Sequence, residues 1–379
     1  MSYPSTLSVH SLHHERSFRD AVQAIELGVQ KALPSTTKGY DFVQVLTIRW
    51  ENDDLDLYDN EQELANIFHS KFRYHTDSVL LPSSSSQHAY DAVKNKIQSI
   101  IDKHDSANSL FIFAYEGHSS VPEGVGPLGL TLFGSSSKDP TLSWAFVEAL
   151  LFPIRHADTL IILDSCFSTA AAMGTSRHEY LAAAAMESQA TDVIEKSFTR
   201  RLIDLLQNLE DPVISVSQVH ARLVKEANNP GSDLLHTPVH VASTMDKPSI
   251  TLRPVANIPR EMASLRKTSA TLSDGKVLVT ILLEGKTSVP QVEEWKRWLS
   301  SRIPEDVAEI RLEAVFDESN SSLCLVTIPV AVWNMLQGYE AYKFVAYVES
   351  HNILLDTATS SDVLASYSGD VQQLPNTEK

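Results

Sequence analysis

Short, almost wholly apolar runs alternate along the first 250 residues with segments whose apolar residues recur every three or four positions. Such runs are typical of strands buried on both faces, and the longer spacing is typical of amphipathic helices. Strands are predicted at 42–48, 79–81, 109–115, 158–163, 179–185 and 236–242, and helices at 18–33, 61–72, 89–104, 143–151, 198–209 and 216–228. The alanine run within 179–185 suits a helix equally well. The alternation predicts an α/β fold, with a mostly parallel sheet and helices on both faces.

The order of elements changes towards the C-terminus. Residues 251–275 contain proline, serine, threonine and scattered basic residues, and they are predicted to form a linker. Beyond the linker, strands are predicted at 276–283, 309–316, 322–328 and 342–348, and helices at 290–302 and 330–336. The order β-α-β-β-α-β is that of a ferredoxin-like unit. We therefore divide the chain into a first domain at 1–250, the linker, a small α+β ferredoxin-like domain at 276–356 and a polar tail at 357–379, which we expect to be mobile.

Composition and charge narrow the classes of function. The chain has 379 residues, 43% of them hydrophobic, and a net charge of −17, so nucleic acid and anionic membranes are poor candidate partners. The N-terminus lacks the pattern of a signal peptide, and no apolar run is long enough to span a membrane, so we expect a cytoplasmic protein. Two cysteines exclude a disulfide framework, and no nucleotide-binding glycine motif or metal-ligand set is present, so no cofactor or metal is expected.

Two of the predicted strands end in the residue types of nucleophilic catalysis. The strand at 158–163 leads into Asp164-Ser165-Cys166, and the strand at 109–115 leads into Glu116-Gly117-His118. The carboxyl ends of parallel strands meet at one edge of the sheet, where open α/β folds place their active sites. A cysteine thiol is mostly protonated at neutral pH, so it needs a neighbouring base to attack an amide. We therefore predict Cys166 as nucleophile, His118 as general base, and the N–H groups of Cys166 and Ser119 as the oxyanion hole.

These two segments resemble the signature segments of the caspase/metacaspase peptidase family. In that family the histidine segment reads approximately Tyr-x-Gly-His-Gly and the cysteine segment Asp-x-Cys-x-Ser. The matching residues here are Tyr115, Gly117, His118, Asp164, Cys166 and Ser168. The separation of 48 positions between histidine and cysteine is close to the value of about 50 for caspases. The resemblance covers roughly residues 38–245 and implies a caspase-like cysteine endopeptidase. Two positions depart from the pattern: Ser119 replaces a glycine, and Phe167 replaces a histidine that often follows the metacaspase cysteine.

The resemblance is to metacaspases rather than to true caspases, because Asp164 stands where caspases have glutamine. In metacaspases this aspartate lines the S1 pocket, so the resemblance implies cleavage after Arg or Lys. It also implies a second S1 aspartate after the first strand, where the sequence alone does not distinguish Asp53, Asp54 and Asp56. Two simpler interpretations stay open: Asp164 caps local backbone N–H groups, and the acidic loop is only solvated. Calcium activation occurs in part of the family, but no ligand set for calcium is visible here.

Three functions are compatible with these features. The first is a cysteine endopeptidase that acts on proteins or peptides with a basic P1 residue, with a role in regulated cell death implied by the resemblance. The second is a catalytically weak or inactive caspase-like scaffold, suggested by Ser119, which recruits protein partners through the C-terminal domain. The third, a non-peptidase signalling module, leaves the paired strand ends unexplained. The resemblance also implies self-cleavage of an active enzyme after Arg177, in the loop that follows the nucleophile. A second candidate region is the linker, with Arg253, Arg260, Arg266 and Lys267. The alternative is that neither region is cut and the enzyme acts as a single chain.

Overall fold

The computed structural model describes residues 14–15, 17–35, 38–121, 129–172, 177–183, 197–228, 237–243, 247–255, 271–285, 294–295, 297, 301, 303, 306–317 and 321–353. The predicted tail at 357–379 lies outside them, as do most of the linker and most of the predicted helix at 290–302. Within these ranges, no helix is both long enough and apolar enough to cross a membrane.

The described residues contain two kinds of regular element. The strands are β1 (Phe42–Trp50), β2 (His75–Leu81), β3 (Ser109–Glu116), β4 (His118–Ser120), β5 (Thr131–Phe133), β6 (Thr141–Ser143), β7 (Asp158–Asp164), β8 (Glu179–Ala182), β9 (Ile214–Ser215), β10 (Val239–Val241), β11 (Thr251–Leu252), β12 (Lys276–Glu284), β13 (Arg311–Asp317), β14 (Ser321–Pro329) and β15 (Tyr342–Val348). The helices are α1 (Phe18–Ala32), α2 (Tyr58–Ser70), α3 (Ser86–His104), α4 (Trp144–Leu151), α5 (Phe198–Gln207), α6 (Val216–Ala227) and α7 (Val330–Leu336).

A six-stranded sheet with the order β10-β8-β7-β3-β1-β2 organises the first part of the chain. Every neighbouring pair is parallel except the edge pair, in which β10 runs antiparallel to β8. The central strand β7 is buried along its whole length, and β3 is buried up to Glu116. Burial on both faces explains why these strands are continuous apolar runs instead of alternating ones. The predicted mostly parallel sheet is confirmed.

Helices cover both faces of this sheet, because successive residues of a strand point to opposite sides. Phe111 and Phe113 of β3 pack in a core cluster with residues of α3 and α4. Leu110 and Ile112 of the same strand pack in a second cluster with residues of α2, α5 and α6. The six helices predicted within residues 1–250 are present with shifts of a few residues at their ends. The α/β fold class is therefore confirmed.

A small three-stranded antiparallel sheet, β4-β5-β6, was not expected from the sequence. Each of its strands has only three residues, which is too short for an alternating pattern to be recognised. The sheet continues directly from β3 and approaches the end of β1 at Gly134. A Cβ atom added to Gly134 would lie 2.5 Å from Cβ of Trp50 and 2.3 Å from Oδ1 of Asn52. Only glycine permits this approach, which brings the β5–β6 hairpin against the loop after β1.

The C-terminal part is an α+β unit built on a four-stranded antiparallel sheet with the order β13-β14-β12-β15. Helix α7 follows β14, as predicted. The first helix of the predicted ferredoxin-like order is the segment at 290–302, and most of that segment lies outside the described residues. The ferredoxin-like assignment therefore stays a prediction.

Helix α1, which the sequence-based division assigns to the first domain, packs against the C-terminal unit. Its residues Ala21, Ile25 and Val29 share one core cluster with the inner face of the antiparallel sheet and with α7. The hydroxyl of Tyr342 on β15 also donates a hydrogen bond of 2.9 Å to the carbonyl of Ala21. The first helix of the described residues therefore packs on the C-terminal unit.

Candidate active site

The two strand ends with candidate catalytic residues meet at the carboxyl edge of the parallel sheet. Glu116 and Asp164, the last residues of β3 and β7, are direct partners in the parallel register. The N–H of Gly117 donates to the carbonyl of Asp164 at 3.1 Å. Two residues further on, Cys166 is half-buried and the side chain of His118 is 24% exposed. The sheet thus brings the predicted nucleophile and base to adjacent positions on one edge.

The backbone on the histidine side needs a glycine. Gly117 has φ of 149°, in a region that residues with a side chain rarely adopt. A Cβ atom at this position would lie 2.8 Å from the hydroxyl oxygen of Tyr115. That hydroxyl donates a hydrogen bond of 2.8 Å to the carbonyl of His118. The glycine therefore lets the chain turn back over Tyr115, and the tyrosine fixes the backbone that presents the imidazole.

The backbone on the cysteine side is strained immediately after the nucleophile. Phe167 has φ of 57°, a left-handed conformation that costs a non-glycine residue about 1–2 kcal/mol. The turn is held by a hydrogen bond of 2.9 Å from the N–H of Ala170 to the carbonyl of Phe167. The Phe167 side chain packs against the core cluster that contains α3 and α4. Packing of this aromatic ring offsets the strain and holds Cys166 at the edge of the sheet.

Ser119 ties the two segments to each other. The residue is 5% exposed, and its hydroxyl donates a hydrogen bond to the carbonyl of Cys166. The serine that replaces the family's glycine therefore directs its side chain to the backbone of the nucleophile. The roles predicted for the N–H groups of Ser119 and Cys166 as an oxyanion hole stay predictions.

An acidic side chain orients the candidate base. Nε2 of His118 lies 2.7 Å from Oδ1 of Asp54, and the imidazole stacks on Phe133 with 5.6 Å between ring centroids. The other carboxylate oxygen of Asp54 accepts the backbone N–H of Ser136 at 2.9 Å. The N–H of Ser136 and the imidazole hold the pKa of Asp54 below its usual value. An ionised Asp54 accepts a proton-bearing Nε2, so Nδ1 keeps the lone pair that a general base needs.

The other residues of the acidic loop have structural contacts. Asp53 accepts the backbone N–H groups of Leu55 at 3.0 Å and Leu57 at 2.8 Å, and so shapes the turn into α2. Asp56 is exposed and has φ of 56°. Of the three aspartates that the sequence left undistinguished, the structure therefore brings Asp54 to the imidazole and uses Asp53 in the backbone of the loop.

Asp164 is buried behind the site. The residue is 6% exposed, and its Oδ2 accepts the backbone N–H of Thr199 at 2.7 Å, in the first turn of α5. Burial raises the pKa of Asp164, and the hydrogen bonds from Thr199 oppose that shift. Asp164 therefore caps a neighbouring helix, which is one of the two interpretations that its sequence position left open.

A pocket opens on the α2 and α5 side of these strand ends. Its lining includes Thr47, Arg49, Glu61, Tyr115, Glu116 and Thr199. Sequence reasoning did not select Glu61 or Glu116. A signal for Glu116 was present, since it precedes His118 by the same two positions by which Asp164 precedes Cys166. Glu61 gave no comparable signal, because it lies within an ordinary amphipathic helix.

The two expected regions of self-cleavage differ in exposure. Arg177 is exposed, and its carbonyl accepts the hydroxyl of Ser243 at 3.0 Å. Arg253 is half-buried, and its backbone N–H donates to the hydroxyl of Tyr74 at 2.9 Å. The other basic residues of the predicted linker lie outside the described residues, as do residues 173–176 before Arg177.

No group of three or more possible metal ligands occurs in the part of the chain that the structure describes.

No protein-family model matches the chain, and no curated protein matches it. Among solved structures, caspase-1 from Spodoptera frugiperda is similar, with a TM-score of 0.39 and 10% sequence identity, over 55% of this chain and 90% of that one.

Proposed function

We propose that this chain is a cysteine endopeptidase of the caspase/metacaspase type that cleaves proteins after Arg or Lys. The observation that carries the proposal is the pairing of β3 and β7, which brings Cys166 and His118 to one sheet edge with Asp54 bound to the imidazole. A thiol, an imidazole and a carboxylate in this order are the components of nucleophilic acyl transfer.

The proposed reaction begins with transfer of the Cys166 thiol proton to Nδ1 of His118. The thiolate attacks the substrate carbonyl carbon, and the carbonyl oxygen becomes an oxyanion that accepts hydrogen bonds from the N–H groups of Cys166 and Ser119. The imidazolium then donates its proton to the amine as the carbon–nitrogen bond breaks, which leaves a thioester on Cys166. Water, deprotonated by His118, attacks the thioester, and the acid product leaves as the thiol is regenerated. Asp54 stabilises the imidazolium through its charge in both halves of the reaction.

Carboxylates around the strand ends support specificity for a basic residue. Glu116 lines the pocket and is the register partner of Asp164, and a guanidinium or ammonium group pairs favourably with a carboxylate that has an oxygen available. The whole chain also has a net charge of −17, which favours encounter with basic substrates. The proposal extends to limited proteolysis in the cytoplasm and to regulated cell death, as the sequence resemblance implies.

A positional scanning peptide library tests this function. The wild type should hydrolyse peptides with Arg or Lys at P1, and Cys166→Ala and His118→Ala should each abolish turnover while folding normally. Efficient cleavage after aspartate, or equal turnover by Cys166→Ala, would refute the proposal.

A second candidate function is that of a weakly active or inactive caspase-like scaffold. Two observations favour it: the bond from Ser119 to the carbonyl of Cys166, and exposed aromatic rings on the antiparallel sheet. Phe316 on β13 is 53% exposed and Phe344 on β15 is 44% exposed, on the two edge strands of that sheet. The same library separates the two functions, because the scaffold predicts a folded wild type that hydrolyses no peptide.

A further inference from the structure

Five carboxylates lie around the candidate active site, and they differ in what occupies their oxygens. Both oxygens of Asp54 are engaged, one by the imidazole of His118 and the other by the N–H of Ser136. Both oxygens of Asp53 accept backbone N–H groups of its own loop. These two carboxylates are therefore committed to the catalytic base and to the loop, and they have little capacity left for a substrate.

Glu61 and Asp164 are committed as well. Oε1 of Glu61 accepts the hydroxyl of Thr47 at 2.6 Å, and Oε2 accepts Nε of Arg49 at 3.0 Å. The carboxylate of Asp164 receives both the backbone and the side-chain hydrogen bonds of Thr199. Arg49 pairs with Glu61 in the wall of the pocket. The positive charge of Arg49 therefore compensates the negative charge of Glu61.

Glu116 is the exception. Its Oε1 accepts Nδ2 of Asn60 at 3.2 Å, but its Oε2 is buried and has no hydrogen-bond partner among the residues that the structure describes. Buried polar atoms are rarely left without a partner. Among the described residues this is the one carboxylate oxygen that is buried without a partner, and its residue lines a pocket.

The position of Glu116 fits the same function. It lines the pocket with Tyr115 and Thr199 and is the direct register partner of Asp164, two residues before the nucleophile segment reaches Cys166. Glu116 and Asp164 thus precede the candidate base and the candidate nucleophile by two residues on neighbouring strands, and we expect the P1 side chain of a substrate held at Cys166 to lie on this side of the strand ends. We propose that Oε2 of Glu116 binds the guanidinium or ammonium group of the P1 residue, and that Glu116 thereby determines specificity for Arg and Lys.

This inference rests on the proposed peptidase function and assigns its specificity to a residue other than Asp164. It also has a consequence for pH. Burial, followed by the charge of Asp164, raises the pKa of Glu116 well above its usual value, while the hydrogen bond from Asn60 opposes the shift and Asp53 and Glu61 add to it. Among these carboxylates, Glu61 also has a positively charged partner, because Arg49 on β1 donates a hydrogen bond to it.

The sign of the pH effect follows from this raised pKa. Below it, Glu116 is neutral and binds a cation weakly; above it, the carboxylate is ionised and binds a cation strongly. Cation binding therefore releases a proton, and the affinity for a cation rises as pH increases through the pKa of the empty pocket.

Benzamidine, a planar cation that mimics the end of an arginine side chain, is a suitable probe. We would measure its binding to full-length Cys166→Ala by calorimetry, with neutral benzamide for comparison and with Glu116→Gln added in the same background. Glu63→Gln is the matched control, because Glu63 is 46% exposed on α2, pairs with Arg200 and loses the same charge. Glu116→Gln should weaken benzamidine binding by about tenfold or more, should remove its pH dependence and should leave benzamide unaffected. Glu63→Gln should stay within about twofold of its parent.

Unchanged benzamidine binding in folded Glu116→Gln, or no benzamidine binding by Cys166→Ala, would overturn the inference. Thermal unfolding of each variant identifies a misfolded one, and Glu116→Ser, with a smaller side chain, then replaces it. In the otherwise wild-type enzyme, Glu116→Gln should also reduce the ratio of kcat/KM for P1 arginine to that for P1 citrulline. If that ratio is unchanged, the inference fails and the peptidase function stands. If the wild type hydrolyses no peptide, the peptidase function fails and the benzamidine titration still decides whether Glu116 binds cations.

Discussion

Replacement of Asp54 by asparagine tests how the base is prepared for proton transfer. The backbone N–H of Ser136 requires an acceptor, so the amide oxygen of the asparagine turns to Ser136 and its NH2 group faces His118. A donor at that position favours the tautomer with the proton on Nδ1, which leaves no lone pair on the nitrogen available to the thiol. Asp54→Asn should therefore reduce activity through the tautomer as well as through the lost charge.

The magnitude follows from the hydrogen bond that is lost. Nε2 of His118 lies 2.7 Å from Oδ1 of Asp54, and a hydrogen bond to a charged group contributes about 1.5–3 kcal/mol. Because the Asp54 side chain is 40% exposed, we take the lower part of this range, about 1.5–2 kcal/mol. This corresponds to a decrease in kcat/KM of about 10- to 30-fold.

The assay is hydrolysis of a fluorogenic P1-arginine peptide. Asp56→Asn is the matched control: it lies in the same loop, it loses the same charge, and asparagine tolerates the positive φ of that position. We expect Asp56→Asn to keep activity within about twofold of the wild type. Asp54→Ala, which lacks the misdirected amide, should be less impaired than Asp54→Asn. Activity of Asp54→Asn equal to that of Asp56→Asn would contradict the orientation of His118 by Asp54.

Three further changes have defined outcomes. Gly117→Ala should lower the free energy of unfolding by about 2 kcal/mol and reduce turnover, because φ of 149° is unfavourable for alanine; Gly39→Ala, in open space, should change neither, and equal behaviour of the two in denaturant titrations would refute this. Asp164→Ala should lower the free energy of unfolding by about 1 kcal/mol through loss of the α5 cap, measured in urea, and an unchanged midpoint would contradict the cap. Intact-mass analysis should reveal a cut after Arg177 in the wild type and none in Cys166→Ala, whereas an active wild type at full mass would exclude self-processing there.

The elements that the sequence predicts well are those whose burial pattern is local. Strands β3 and β7 are continuous apolar runs because both of their faces are covered, and their ends were recognisable because polar residues follow at once. The placement of Cys166 and His118 at one edge follows from parallel pairing of those two strands. Fold class and catalytic candidates could thus be derived from the residues alone.

The features that the sequence did not predict depend on contacts between distant segments. The role of Asp54 is set by Ser136, 82 positions away, on a hairpin whose strands are too short to have a recognisable pattern. The charge state of the pocket depends on Arg49 and Glu61, whose pairing is not visible in either segment. Likewise, the spacing in α1 predicts an apolar face but does not indicate that this face packs on the C-terminal unit.

The central claim is that Cys166 is a thiol activated by His118 beside a pocket for a basic residue. The most direct measurement is covalent labelling by a peptidyl-arginine chloromethyl ketone, followed by intact mass and peptide mapping. We predict one adduct per wild-type chain, on Cys166, with labelling abolished in Cys166→Ala and greatly slowed in His118→Ala. Absence of an adduct on the folded wild type, or labelling of Cys166 at the same rate without His118, would contradict this account.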